Sequence, residues 1–231
     1  MKKIMSFTAM IMLITVIFAG CSKSEKMIQF RTPADDADIA IITTNKGVMK
    51  FQFFPSEAPK AVENFLTHAK NGYYDGLTFH RIIKDFMIQG GDPAGNGSGG
   101  ESIWGEGFGV EISKKLFHFK GALCMARTDM PNSQGSQFYI VQGVRITDVI
   151  LNKVNNKDIS AAAAAKYKEV GGYPFLDGDY TVFGQIIEGT DVLDKIASVS
   201  VKSSAGDSQA STPVEPVIIE SIKVVKYKDI K

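Results

Sequence analysis

Residues Phe79 to Asp92 read Phe-His-Arg-Ile-Ile-Lys-Asp-Phe-Met-Ile-Gln-Gly-Gly-Asp, and this run restricts the fold more than any other part of the chain. It carries one fixed cation, Arg81, and one amide, Gln89, among large apolar side chains. Strands are predicted at about 77–83 and 86–91. Side chains alternate between the faces of a strand, so residues two apart share one. Met87 and Gln89 therefore lie on one side of the second strand, and Phe79 and Arg81 on one side of the first. The expected surface is an apolar floor with a guanidinium and an amide above it. It suits a ligand that is itself apolar but carries backbone carbonyls.

Further β-rich runs follow the same logic. Ile39 to Thr44 and Val48 to Phe54 flank Asn45-Lys46-Gly47, a hairpin turn. Other strands are predicted at about 119–126 and 136–142, from Tyr180 to Ile187 and from Val217 to Tyr227. Ala58, Ala61, Val62, Phe65, Leu66 and Ala69 fall on one helical face. Ser56 is the predicted cap of that helix, Pro59 is tolerated in its first turn, and Gly72 ends it. Thr190 is the predicted cap of a short helix carrying Val192, Leu193 and Ile196. Asp92 to Gly109 is Gly-rich and reads as a loop. Within it, Trp104 and Phe108 either pack the loop down or stand at the rim of a groove. Many strands with two or three helices indicate a mainly β, antiparallel barrel.

Several chemistries are excluded. The 231 residues suffice for one domain, and a net charge of +1 with scattered basic residues leaves no footprint for nucleic acid. Gly95, Gly97 and Gly100 spell G-x-G-x-x-G, but no amphipathic helix follows to receive a pyrophosphate. There is no G-x-S-x-G. His68, His80 and His118 lack the short paired spacings of a zinc site, so no metal or cofactor is called for. His80 reads as a hydrogen-bonded structural histidine pointing away from the groove. Cys124 reads as a buried thiol acting as a small hydrophobe.

The N-terminus has a separate logic. Lys2 and Lys3 precede an apolar run, Ile4 to Ala19, that is too short to span a bilayer. It ends in Phe18-Ala19-Gly20-Cys21. Residues 1–20 are read as a signal peptide. The small-small-Cys ending resembles a bacterial lipobox, with Phe18 in place of the more usual Leu. That resemblance implies a lipid on Cys21 and residues 21–37 as a polar tether. A simple signal peptide with Cys21 near its cleavage site is the alternative.

Two further blocks accompany the opening run. One is Gly121-Ala122-Leu123-Cys124-Met125-Ala126-Arg127 with Asn132-Ser133-Gln134-Gly135-Ser136-Gln137-Phe138-Tyr139-Ile140. The other is Phe175-Leu176-Asp177-Gly178-Asp179-Tyr180-Thr181-Val182-Phe183-Gly184. In this order the three resemble the cyclophilin family of peptidyl-prolyl cis-trans isomerases. The resemblance implies a closed eight-stranded antiparallel barrel over residues 38–229. Helices plug its ends, and the groove lies on its outer wall. It also isolates an insertion at about 144–173, whose Ala161 to Ala165 favours helix. The insertion is expected to be lightly packed and replaceable by a short linker.

By the same resemblance Arg81 is the catalytic arginine. Phe86, Met87, Tyr139 and Leu176 form the proline pocket, and Gln89 holds the substrate backbone. Ala126 and Arg127 pair with the peptide main chain, and Gln137 is a further polar groove residue. Three positions depart from the best-known members of the family. Arg127 replaces a frequent Asn and shifts preference toward acidic peptides. Phe175 stands where many members have Trp, which weakens cyclosporin-type binding. Tyr180 replaces a frequent His in the substrate-binding groove. The implied function is rotation of X-Pro bonds in exported or unfolded proline-containing polypeptides. The protein would be a monomer held to the bacterial cell envelope through Cys21 and facing the periplasm, with the outer membrane a compatible site. A non-catalytic proline-peptide-binding or chaperone module and a structural envelope lipoprotein are the competing readings. The retention of Arg81 beside Phe86, Met87 and Gln89 favours the enzyme.

Overall fold

The computed structural model describes residues 27–154, 159–203 and 209–231. The predicted signal peptide, Cys21, the first part of the tether and the centre of the polar stretch 203–212 lie outside these. In chain order the strands are β1 (Asp38–Thr44), β2 (Gly47–Phe53), β3 (Arg81–Ile83), β4 (Met87–Gly90), β5 (Ala122–Met125), β6 (Phe138–Val141) and β7 (Val182–Glu188). A short separate pair, β8 (Val201–Lys202) and β9 (Thr212–Pro213), precedes β10 (Ile219–Lys226). Eight strands form one antiparallel sheet in the order β10-β1-β2-β7-β5-β6-β4-β3.

The sheet curls around a single apolar interior. Ile82, Ile88, Leu123, Met125, Phe138 and Ile140 point into it. Helix α1 (Pro59–Lys70) lays Ala61, Val62, Phe65, Leu66 and Ala69 against them. The Phe65 ring lies 5.2 Å from Phe138 and 5.4 Å from Phe183. Burying a ring of this size contributes about 1.5–3 kcal/mol, so the helix is held by its apolar stripe. A second helix, named α4 in chain order (Thr190–Ala197), adds Leu193 and Ile196. Its N-cap is Gly189 in the left-handed region, and Thr190 lies inside the first turn and is not the predicted cap.

Three further expectations need correction. The barrel is less closed than expected. The regular ladder stops at β3 and β10, and the seam is bridged by a few backbone bonds: Gly76 N–H to Ile219 O (2.8 Å), Ile219 N–H to Leu77 O (2.8 Å) and Phe79 N–H to Val217 O (2.9 Å). That seam also breaks the strand alternation. Phe79 turns inward, 6.0 Å from Phe138, while Arg81, where regular geometry begins, lies on the outer wall. Phe79 and Arg81 therefore do not share a face. Third, Ser56 does not cap α1, whose N-cap is Ala58. The Glu111 carboxylate, from a distant loop, accepts the Lys60 and Ala61 N–H groups at 3.1 and 2.9 Å. A carboxylate from elsewhere satisfies the same orphan donors and complements the helix dipole.

The insertion enters and leaves at one point, as expected. Val144 and Gly172 exchange two backbone hydrogen bonds, at 3.1 and 3.0 Å. Gly172 has φ +147°, and a Cβ there would collide with the His118 carbonyl, so only glycine fits. Between these ends lie α2 (Asp148–Lys153) and α3 (Ala161–Val170). Ser160 caps α3, accepting the Ala163 N–H at 3.2 Å. Most of α3 is solvated, yet Ala163 and Tyr167 are completely buried against Phe117, Phe119 and Ile146. The insertion thus builds a core cluster of its own and is not a detachable appendage. Replacing residues 145–171 with a short Gly/Ser linker is expected to destabilise the chain by at least the ~3–5 kcal/mol typical of losing one large buried ring. Urea denaturation measures this, and an undiminished midpoint would return the insertion to the periphery.

Candidate active site

The outer faces of β3, β4, β5 and β6 carry the groove. Register places Arg81 opposite Gln89, Gln89 opposite Tyr139, and Tyr139 opposite Cys124. Period-two alternation thus sends Arg81, Met87, Gln89 and Tyr139 outward while Ile82, Ile88 and Ile140 fill the interior. The outer wall is itself covered, by Phe54, Phe86, Leu116, Tyr173, Leu176 and Tyr180. Strands β5 and β6 are consequently buried on both sides, and so read as unbroken apolar runs.

A cavity of about 120 Å³ opens in this covering, lined by Arg81, Phe86, Met87, Gln89, Ala126, Arg127, Tyr139, Leu176 and Tyr180. Nine of the expected site residues thus converge on one small apolar hollow. A second cavity of about 200 Å³ adjoins it, sharing Gln89, Ala126 and Arg127 and adding Gln137, Ser133 and the Gly97–Gly100 loop. Gln137 therefore belongs to the extension of the groove. Phe175 lines neither cavity; it is 44% exposed and packs on Tyr173 at 5.5 Å. The structure does not bring this predicted substrate-binding residue into the groove.

A polar chain crosses the groove. Arg81 Nη1 donates to Gln89 Oε1 at 3.3 Å and lies 3.9 Å from Met87 Sδ. Gln89 Nε2 donates to Gln137 Oε1 at 2.9 Å. Gln137 Nε2 donates to the carbonyls of Gly97 (3.0 Å) and Gly99 (2.8 Å). The guanidinium is thereby held at the lip of the hollow by an amide ladder anchored in the glycine loop. Asp92 shapes that loop, accepting the N–H groups of Ala94, Asn96 and Gly97 at 2.8, 3.0 and 2.6 Å. Its carboxyl is held below the usual range: burial pushes it up, and these backbone bonds outweigh the burial. On the far side Arg127 lies 4.7 Å over the Tyr180 ring and donates to the carbonyls of Asp179 and Thr128 at 2.9 and 3.0 Å. Its side chain forms an edge of the groove.

Three residues of this site were not singled out from the sequence. Tyr173, at the end of the insertion, packs on Phe86 at 4.5 Å. His118 and Asp177 lie behind the wall. His118 Nδ1 meets Asp177 Oδ1 at 2.8 Å, and His118 Nε2 meets the Tyr139 hydroxyl at 3.0 Å. Only the position of Asp177, directly after Leu176, hinted at a supporting part. Cys124 is completely buried, and burial pushes its thiol far up, which keeps it protonated and unreactive. His80 lines neither cavity of the groove and is buried, but neither ring nitrogen has a hydrogen-bond partner among the described residues. It is therefore not the hydrogen-bonded histidine that was expected.

The comparisons agree with this geometry. The family described as "Cyclophilin type peptidyl-prolyl cis-trans isomerase/CLD" matches residues 39–224. A protein of Staphylococcus saprophyticus named "Putative peptidyl-prolyl cis-trans isomerase" is 46% identical over 199 residues, 86% of this chain and 98% of its own length. One of the same name from Staphylococcus aureus is 50% identical over 184 residues, 80% of this chain and 90% of its own. The crystal structure of a cyclophilin-type isomerase from Cryptosporidium parvum superposes with a TM-score of 0.65 at 33% identity, covering 82% of this chain and 98% of that one. A second structure of that protein, determined in the presence of the dipeptide Ala-Pro, gives 0.64 at 34%, covering 81% of this chain and 99% of that one. A curled antiparallel sheet with a small hollow on its outer wall, Arg81 at its lip and Phe86, Met87, Tyr139 and Leu176 lining it, is the arrangement of a proline-peptide isomerase. The chain belongs to the cyclophilin-type peptidyl-prolyl cis-trans isomerases.

The buried His80 sets a pH dependence. Burial holds its imidazole below the ordinary value of about 6.5, Asp92 partly offsets this and Arg81 adds to it; burial likewise lowers His68. Below that value the unfolded chain binds protons that the folded chain refuses, so stability falls as pH falls. Unfolding free energy from denaturant titration is expected to be smaller at about pH 5.5 than at about pH 7.5. In His80→Gln the difference is expected to shrink.

Proposed function

We propose that this chain is a lipid-anchored isomerase of the cell envelope. It rotates X-Pro bonds in exported, proline-containing polypeptides, as a monomer and without a cofactor. The observation that supports this best is the placement of Arg81: its guanidinium stands at the lip of a hollow sized for a small apolar ring.

Rotation about an X-Pro amide faces a barrier of ~18–20 kcal/mol because resonance must be lost. Only interactions stronger in the twisted amide than in either planar form lower it. On twisting, the proline nitrogen recovers its lone pair, and a donor fixed nearby stabilises that state. Arg81 supplies such a donor, and its oriented partners reduce the reorganisation it must undergo. A guanidinium does not release its proton under ordinary conditions, so its role is electrostatic. Phe86, Met87, Tyr139 and Leu176 give the proline ring an apolar seat in both isomers. Gln89 and Gln137 offer amides along the groove to the flanking backbone.

Arg81→Ala is expected to lower the isomerisation rate by roughly 10²–10³ while peptide affinity changes far less, since the apolar seat remains. Arg81→Lys is not expected to rescue it, because an ammonium lacks the planar fork. Exchange spectroscopy on a proline peptide, with binding measured on the same variants, tests this. An Arg81→Ala chain that isomerises at the wild-type rate points instead to a peptide-binding module.

The anchor reading rests on the sequence around Cys21. Lipid chains contribute ~0.8 kcal/mol per buried CH₂, and stable anchoring takes more than one chain. Cys21→Ser is expected to release the protein from the membrane fraction. Wild-type protein found soluble and unlipidated by mass spectrometry would refute the anchor.

A further inference from the structure

The insertion touches the pocket through a buried file of polar side chains. It begins on α3 with Tyr167, whose hydroxyl donates to Asp177 Oδ2 at 2.6 Å. Asp177 Oδ1 accepts both the backbone N–H and the Nδ1–H of His118, each at 2.8 Å. On the other side of the ring, His118 Nε2 meets the Tyr139 hydroxyl at 3.0 Å. Tyr167 is completely buried, His118 is 1% exposed, Tyr139 5% and Asp177 8%. Tyr139 is a wall of the proline hollow, and Asp177 directly follows Leu176, another wall.

We infer that Tyr167 is a positioning residue for isomerisation, acting through Asp177 and His118 to fix the Tyr139 ring and the Leu176 turn that seat the proline. Two features support a positioning role over simple packing. First, every member of the file has its polar atoms matched to the next, and a buried file of this kind prescribes one orientation where an apolar contact tolerates several. Second, the same insertion reaches the pocket independently. Tyr173 donates its N–H to the His118 carbonyl at 2.8 Å and packs on Phe86. The insertion is thus braced against two sides of one hollow.

The consequence is a particular kinetic signature. The seat holds the proline ring in planar and twisted amides alike, so loosening it weakens ground state and transition state together. That raises KM and leaves kcat largely unchanged. Loss of the guanidinium at Arg81 has the opposite signature.

The inference rests on the isomerase reading, and the wild-type full-length chain reports on that reading first: absence of catalysed exchange refutes the isomerase itself. With an active wild type, Tyr167→Phe is measured alone and in a Tyr139→Phe background. Tyr167→Phe alone is expected to lower kcat/KM about three- to tenfold, the equivalent of one net hydrogen bond, with the change in KM. In the Tyr139→Phe background the same substitution is expected to do nothing, because the file no longer reaches the pocket. Tyrosine ring signals labelled with ¹³C are expected to show Tyr139 shifting in Tyr167→Phe. If Tyr167→Phe does not fold, Asp177→Asn, which keeps the side-chain volume, takes its place in the cycle. An unchanged kcat/KM, equal losses in both backgrounds, or a fall in kcat at constant KM overturns the inference.

Discussion

The burial of β5 and β6 on both faces is the constraint on which the rest of the molecule depends. A strand pair placed in the middle of a curled sheet must have its inner face filled and its outer face covered. Helices α1 and α4 close off the interior, which holds Phe65, Phe138 and Phe183. The outer face is covered by side chains from loops and from the insertion, which leave one small gap over Met87 and Tyr139. The substrate seat is that gap. Its floor needs no separate scaffold, because the floor is the back of the strands whose fronts make the core.

Polarity is added to this apolar surface sparingly and in fixed positions. Arg81, Gln89 and Gln137 form one ladder across the groove, and each amide both donates and accepts. Such a ladder fixes the guanidinium at the lip of the hollow. On the other wall, Arg127 is spread over Tyr180 and tied to two carbonyls. Its charge contributes at the rim, while its geometry is largely committed to the protein. Behind the wall, the bonds of His118 to Asp177 and Tyr139 add a second polar layer in which the imidazole is oriented from both sides.

Much of this was legible in the amino-acid order. Strand spacing and the stripe of α1 depend on local periodicity, which a sequence displays directly. The members of the pocket were legible only jointly, since Met87 or Tyr139 alone is indistinguishable from core. What stayed hidden depends on contacts between distant segments. Glu111 caps a helix fifty residues before it because a loop returns there, and nothing near Ser56 signals that it will be displaced. Phe79 turned inward because the seam to Val217 overrides alternation just before β3. Nothing local marks Tyr167 on its alanine-rich helix, and only the fold places Phe119 and Asp177 beneath it.

The sheet order has one further consequence. Strand β1, early among the described residues, has β10, the last strand, as one of its two partners, with Asp38 opposite Lys226. A chain that has not yet received β10 leaves β1 with an open edge, and the stretch just before and at the start of β10 supplies the seam to Gly76–Phe79. Assembly of the sheet therefore waits for completion of the chain. Pairings so distant in sequence are slow to form, and an unpaired edge strand is a template for association with another chain. An isomerase built this way is itself a demanding client of the folding environment in which it works.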